Sequence, residues 1–260
     1  MSGIARPKPR GPASNASSIP RRRWLWLAPL VLVLAASACS GADPAPEPPS
    51  TPAPAASPTP ATAAVAPAEA SLTSEQGAAL VEALRRGGHV LLFRHAITDS
   101  TQGDDLSALL LAGNDGGRVA IDGLRADCTR QRNLNQAGRD QARAIGAEFE
   151  RLAIPHQVTL ASPFCRTQET AGLAFGRYRI EEGISLIVGN DADGAAASAV
   201  KALLGQRPPP GSNVILVSHL SNITAAGLNL IAEGDCIVVR PEGTRWTVLA
   251  YVKAADWQRF

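Results

Sequence analysis

An arginine and a histidine stand side by side at Arg94-His95, and the same two residue types recur far apart in the chain at Arg166 and His219. A guanidinium presents planar donors that match phosphate or carboxylate oxygens in pairs. A histidine with the ordinary pKa of about 6.5 is largely neutral at neutral pH, and its free ring nitrogen can attack phosphorus directly. Gathered in one pocket, two of each would hold an oxyanion and attack it with no metal. The four histidines, His89, His95, His156 and His219, show no metal-ligand spacing among themselves, so neither metal nor other cofactor is expected. Singly, each residue has an ordinary explanation, because Arg and His often end strands with their heads in solvent and their stems packed.

The elements that would bring them together can be read from periodicity. Thr73 and Gln76 form a capping-box pattern, Leu80, Val81 and Leu84 share a face, and Gly87-Gly88 stops the run, which predicts a helix at about 73–86. The apolar run 89–93 predicts a buried strand ending at Arg94-His95. Ala142, Ile145, Phe149 and Leu152 recur at helical spacing over 136–152, and Ile154-Pro155 ends that pattern. Val158 to Ala161 reads as a second strand, Ser162-Pro163 as a turn into a helix, and Val214 to Ser218 as a third strand, followed by a helix from about Ser221 to Ala232. Cys236–Arg240 and Trp246–Val252 alternate about Gly243, as a closing hairpin does. Strands separated by helices imply a three-layer α/β/α sandwich with a mostly parallel central sheet. Arg94-His95, Arg166 and His219 each follow a strand's carboxyl end, and in such a sheet those ends share one crevice. Residues 100–133 have little periodicity, and a segment that long reads as an insertion over the site.

Four stretches in this order, LLFRHA at 91–96, LNQAGRDQA at 134–142, SPFCRTQETA at 162–171 and VILVSHLSNI at 214–223, resemble the successive motifs of the histidine phosphatase superfamily, the phosphoglycerate mutase-like fold. The resemblance implies His95 as nucleophile, Arg94 and Arg166 as phosphate-binding arginines, and His219 as the second pocket histidine, both catalytic and phosphate-binding. It implies structural roles for Leu134, Gly138, Ala142, Glu169, Thr170 and Ala171. The pattern is departed from at Ala96, where the family has glycine. The family's leaving-group acid has no clear counterpart: Glu181 and Glu182 are loosely placed, Leu220 stands where one branch has Asp, and Asp99 and Glu233 are further candidates.

The first seventy residues differ from the rest. Residues 1–23 carry six Lys or Arg and no acid, 24–38 are almost wholly apolar, and Cys39 follows Ala36-Ser37-Ala38. This is the plan of an export signal, and small residues before a cysteine resemble a lipoprotein box, so 1–39 is expected to be a signal peptide with Cys39 as the lipidation site. The alternative is cleavage without lipidation. Residues 40–70, rich in Pro and Ala, have too little to bury and read as an extended linker, leaving 71–260 as one domain. With 19 Lys plus Arg against 20 Asp plus Glu past Ser71, that domain is close to neutral, which argues against a nucleic-acid partner. With Cys39 acylated, Cys128, Cys165 and Cys236 remain, enough for one bridge. Cys128 lies in the insertion and Cys165 abuts Arg166. A bridge between these two is expected, with buried free thiols as the alternative.

The combined expectation is a phosphatase acting on a small phosphorylated substrate or phosphorylated side chains through a phosphohistidine on His95. It would be lipid-anchored in the cell envelope, at the outer membrane facing the periplasm or cell surface, or else secreted. The competing expectation is an envelope protein that binds a phosphorylated ligand or acts as a scaffold, with the pocket but little turnover. A structural tether has only the linker in its favour.

Overall fold

A computed structural model of the chain describes residues 71–107, 122–187 and 194–260. The expected signal peptide, Cys39, the linker and the middle of the insertion lie outside the described residues.

Helix α1 (Ser74–Arg85) opens with the expected capping box between Thr73 and Gln76 and lays Leu80, Val81 and Leu84 on the sheet. Strand β1 (Val90–Arg94) follows. Its side chains alternate: Leu91 and Phe93 join one core layer, Val90 and Leu92 the other. Next come α2 (Gln136–Arg151), β2 (His156–Ala161), α3 (Cys165–Phe175) and the short edge strand β3 (Arg179–Ile180). Helix α4 (Ala195–Gly205), β4 (Asn213–Ser218), α5 (Leu220–Ala225), and the strands β5 (Cys236–Pro241) and β6 (Trp246–Val252) complete the order.

The six strands lie in the order β3-β2-β4-β1-β5-β6. The first four run parallel; β5 and β6 are antiparallel, forming the hairpin expected about Gly243. Residues of α1, α2 and α3 pack on one face and residues of α4 and α5 on the other, giving the three-layer α/β/α architecture. The first core layer centres on Phe149, whose ring lies 4.9 Å from Trp257, 5.2 Å from Phe175 and 5.9 Å from Phe93. Truncating such a side chain to alanine costs about 3–5 kcal/mol.

Three elements depart from expectation. Helix α4 and strand β3 carry too little periodic signal to be read from sequence. Helix α5 stops at Ala225 instead of running to Ala232: Gly227 takes φ +80°, its N–H donates to Thr224 O, and the N–H of Leu228 donates to Ile223 O. That paired closure on a left-handed glycine ends a helix. The chain from 228 to 235 is thereby released as a loop that returns across the end of β1.

Candidate active site

Register brings the predicted residues together. Arg94 of β1 pairs with Ser218 of β4, the N–H of His95 donates to Ser218 O at 3.0 Å, and the N–H of Ser162 after β2 donates to Val217 O at 3.0 Å. The carboxyl ends of the three strands therefore stand in line. His95 and His219 sit with ring centroids 5.6 Å apart, edge to face, and both are buried. Arg166, in the first turn of α3, is also buried, with its guanidinium carbon 4.9 Å from the centre of the Phe164 ring. These side chains and Arg94 line a cavity of about 270 Å³, together with Gln102, Asp104, Arg132 and Leu220.

His95 is held in one orientation. Its Nδ1 lies 2.9 Å from the carbonyl oxygen of Ala96, a contact that requires Nδ1 to carry the hydrogen and leaves Nε2 with its lone pair. Burial first, and then the positive charge of Arg166, push its pKa down to about 3, so the ring is neutral at any ordinary pH. His219 is likewise driven well below its usual value, by burial first and then by Arg166. Its Nε2 lies 2.7 Å from Ser162 Oγ, and its Nδ1 is buried with no hydrogen-bond partner among the described residues. The Nε atoms of Arg94 and Arg166 are likewise buried with no partner among the described residues. A buried unpaired donor costs about 1–3 kcal/mol, so several around one cavity suit an acceptor-rich ligand.

Three residues complete the cluster beyond the predicted four. Arg132 brings a third guanidinium, Nη2 lying 3.3 Å from Glu233 Oε1. Glu233 Oε1 also accepts from Arg94 Nη2 at 3.3 Å and Thr98 Oγ1 at 2.7 Å, while Oε2 accepts from the Thr98 N–H at 3.1 Å. The loop bearing it is fixed by Gly234, at φ +84°, whose N–H donates to His95 O at 2.9 Å. Asp104 Oδ1 accepts from Arg166 Nη1 at 2.8 Å and from the Arg132 N–H at 3.0 Å. The aperiodic insertion gave no motif for Asp104 or Arg132; the one available signal was its local concentration of charge, Asp104-Asp105 and Arg130 through Arg132.

The insertion is fastened to the site. Cys128 and Cys165 form a disulfide, next to Arg166, as expected. Gln131 Oε1 accepts from the Cys165 N–H at 2.8 Å, serving a helix whose N-cap, Phe164, has no side-chain cap. Gly138 sits so close to the chain after His95 that a Cβ there would meet Ile97 O at 1.9 Å. Leu134 and Ala142 pack on Ala96, Thr170 Oγ1 accepts from the Ala96 N–H at 3.0 Å, Ala171 is buried in the core, and Glu169 pairs with Arg139 at 2.7 Å. The other acids singled out in the sequence are elsewhere. Asp99 caps the turn at Thr101, Glu181 accepts from the Gly183 N–H, and Glu182 pairs with Arg125. A larger hollow of about 860 Å³, lined by Gln102, Asn133, Glu169 and Tyr178 among others, shares Gln102 with the cavity and contains no histidine.

The arrangement is an anion cradle around an uncharged, oriented imidazole. It can bind an oxyanion and attack it.

No family model matches this chain, and no curated protein matches it either. Among solved structures, it is similar to a phosphoserine phosphatase mutant from Entamoeba histolytica in complex with phosphoserine, at 11% identity over 65% of this chain and 98% of that one, with a TM-score of 0.43. It is similar to the protein histidine phosphatase SixA complexed with tungstate, at 14% identity, with the same two coverages and a TM-score of 0.42. A mycobacterial glucosyl-3-phosphoglycerate phosphatase with inorganic phosphate is 16% identical over 65% of this chain and 99% of that one, at a TM-score of 0.44.

Proposed function

We propose that the chain is a phosphatase of the histidine phosphatase type, hydrolysing phosphate monoesters or phosphorylated side chains through a phosphohistidine on His95. The observation that carries this reading is the single oriented tautomer of His95, with Nδ1 on Ala96 O, in a cavity it shares with three guanidiniums. Arg94, Arg132 and Arg166 supply the cationic contacts that a phosphoryl group needs as charge redistributes among its oxygens. His95 Nε2 attacks phosphorus and the ester oxygen departs. Water then cleaves the P–N bond and returns the imidazole to its neutral form. His219 contributes a second imidazole wall, its Nδ1 without a hydrogen-bond partner among the described residues.

The test is to incubate the full chain and its His95→Ala variant with radiolabelled substrate and quench. Wild type is expected to yield an acid-labile phosphoenzyme and the variant none, with turnover lost, because better positioning cannot replace a missing nucleophile. Full activity in purified His95→Ala would overturn the mechanism. The competing reading, a phosphate-binding protein with little turnover, draws on the ion pair that engages Arg166 with Asp104. It predicts binding of phosphate without release of nitrophenol from para-nitrophenyl phosphate. The proposal extends to location: the chain is anchored in the envelope through acylated Cys39 and carried on the linker 40–70.

A further inference from the structure

Two carboxylates touch the cluster, and they are held differently. Both oxygens of Glu233 are filled by donors, from Arg94, Arg132 and Thr98, and Glu233 does not line the cavity that His95 and His219 share. Each of its oxygens is engaged, and it serves as the counter-charge for two guanidiniums. Asp104 does line that cavity, with its side chain 13% exposed. Its Oδ1 takes both hydrogen bonds, from Arg166 Nη1 and the Arg132 N–H. Among the described residues, nothing donates to Oδ2. The two carboxylates thus differ in geometry: Glu233 has a donor on each oxygen, whereas Asp104 keeps one oxygen open beside the cavity.

Resting on the phosphatase reading, we propose that Asp104 is the proton donor to the departing ester oxygen and the proton acceptor for the attacking water. Its place follows from Arg166: a phosphoryl group held by that guanidinium lies beside the carboxylate that the guanidinium also holds. The open Oδ2 is the oxygen of Asp104 placed to carry the transferred proton, since both bonds from Arg166 and Arg132 end on Oδ1. In the first step the Nε2 lone pair of His95 forms the P–N bond and the P–O ester bond breaks. The bonding pair goes to the ester oxygen, which takes the proton from Asp104 Oδ2 and leaves as an alcohol. In the second step water attacks phosphorus, its proton passes to Asp104, the P–N bond breaks, and its pair returns to Nε2.

The experiment is a leaving-group series on the full chain, from para-nitrophenyl phosphate through phenyl phosphate to glycerol 2-phosphate, with phosphoenzyme formation followed by rapid quench. A proton donor contributes roughly 10²–10⁴-fold, and it does so where the leaving group is basic. Wild type is expected to show a shallow dependence on leaving-group basicity. Asp104→Asn should show a steep one: phosphoenzyme forms from para-nitrophenyl phosphate within a few-fold of the wild-type rate and then accumulates, because its hydrolysis has lost the proton acceptor, while its formation from glycerol 2-phosphate falls by about two to four orders of magnitude. Asp104→Ser, read in the same way, stands in if the asparagine variant does not fold. An equal loss across the series would make Asp104 a positioning residue for Arg166 and overturn the proposal, as would a steep dependence in wild type. Wild type that forms no phosphoenzyme even from para-nitrophenyl phosphate fails the phosphatase reading itself, a distinct result.

Discussion

At the scale of single residues, the site depends on keeping two imidazoles uncharged among three guanidiniums. Burial and the charge of Arg166 hold His95 and His219 neutral, while in the unfolded chain both return to a pKa of about 6.5. Below that pH the unfolded state binds protons that the native state refuses, so stability falls as pH drops from about 6.5 toward about 3 and is unaffected above. Each such group contributes a slope of about 1.4 kcal/mol per pH unit. Urea unfolding of wild type and His95→Ala between pH 6 and pH 4 isolates the share of His95. Wild type is expected to lose about 1.4 kcal/mol per unit more than the variant, and parallel lines would show that His95 is charged in the native protein.

At the scale of elements, the insertion and helix α3 act as one piece because three links join them within a few residues. These are the disulfide Cys128–Cys165, the bond from the Cys165 N–H to Gln131, and the bond from Arg166 Nη1 to the carbonyl of Arg132. The bridge spans a sequence separation of 37 residues, for which loop-closure entropy predicts roughly 4 kcal/mol of stabilisation. Cys128→Ser with Cys165→Ser is therefore expected to lower the unfolding free energy measured in urea by up to about that figure. Competitive inhibition by inorganic phosphate should weaken as well, since Arg132 and Arg166 lose their shared tether. An unchanged inhibition constant alongside reduced stability would confine the bridge to a structural part.

At the scale of the whole molecule, the near-neutral residues 71–260 follow a basic and then apolar N-terminal stretch and a Pro/Ala-rich one. If Cys39 carries acyl chains, each buried methylene contributes about 0.8 kcal/mol, and membrane attachment should survive salt. Attachment through the basic residues 1–23 alone would not, because at 1 M salt the Debye length shrinks to about 3 Å. Cells expressing wild type and Cys39→Ala are to be fractionated and their membranes washed with 1 M salt. Wild type is expected to leave only with detergent and the variant to be released; identical fractionation would remove the lipid anchor from the proposal.

The sequence by itself determined what local periodicity and residue type encode. Alternating or continuous apolar runs marked β1, β2, β4 and the β5–β6 hairpin, helical spacing marked α1 and α2, and the strand ends put Arg94, His95, Arg166 and His219 on one edge of one sheet. Those positions were legible because a parallel sheet aligns its carboxyl ends whatever the loops do. The tertiary structure alone decided which carboxylate faces the cavity. Asp104 and Arg132 lie in a stretch without periodicity, and their places come from long-range bonds to Arg166 and Glu233 that no spacing encodes. Glu233 arrives because α5 closes early on Gly227, a choice between helix and left-handed turn that local propensity leaves nearly balanced and that burial of Ile223 and Ala226 against the sheet resolves.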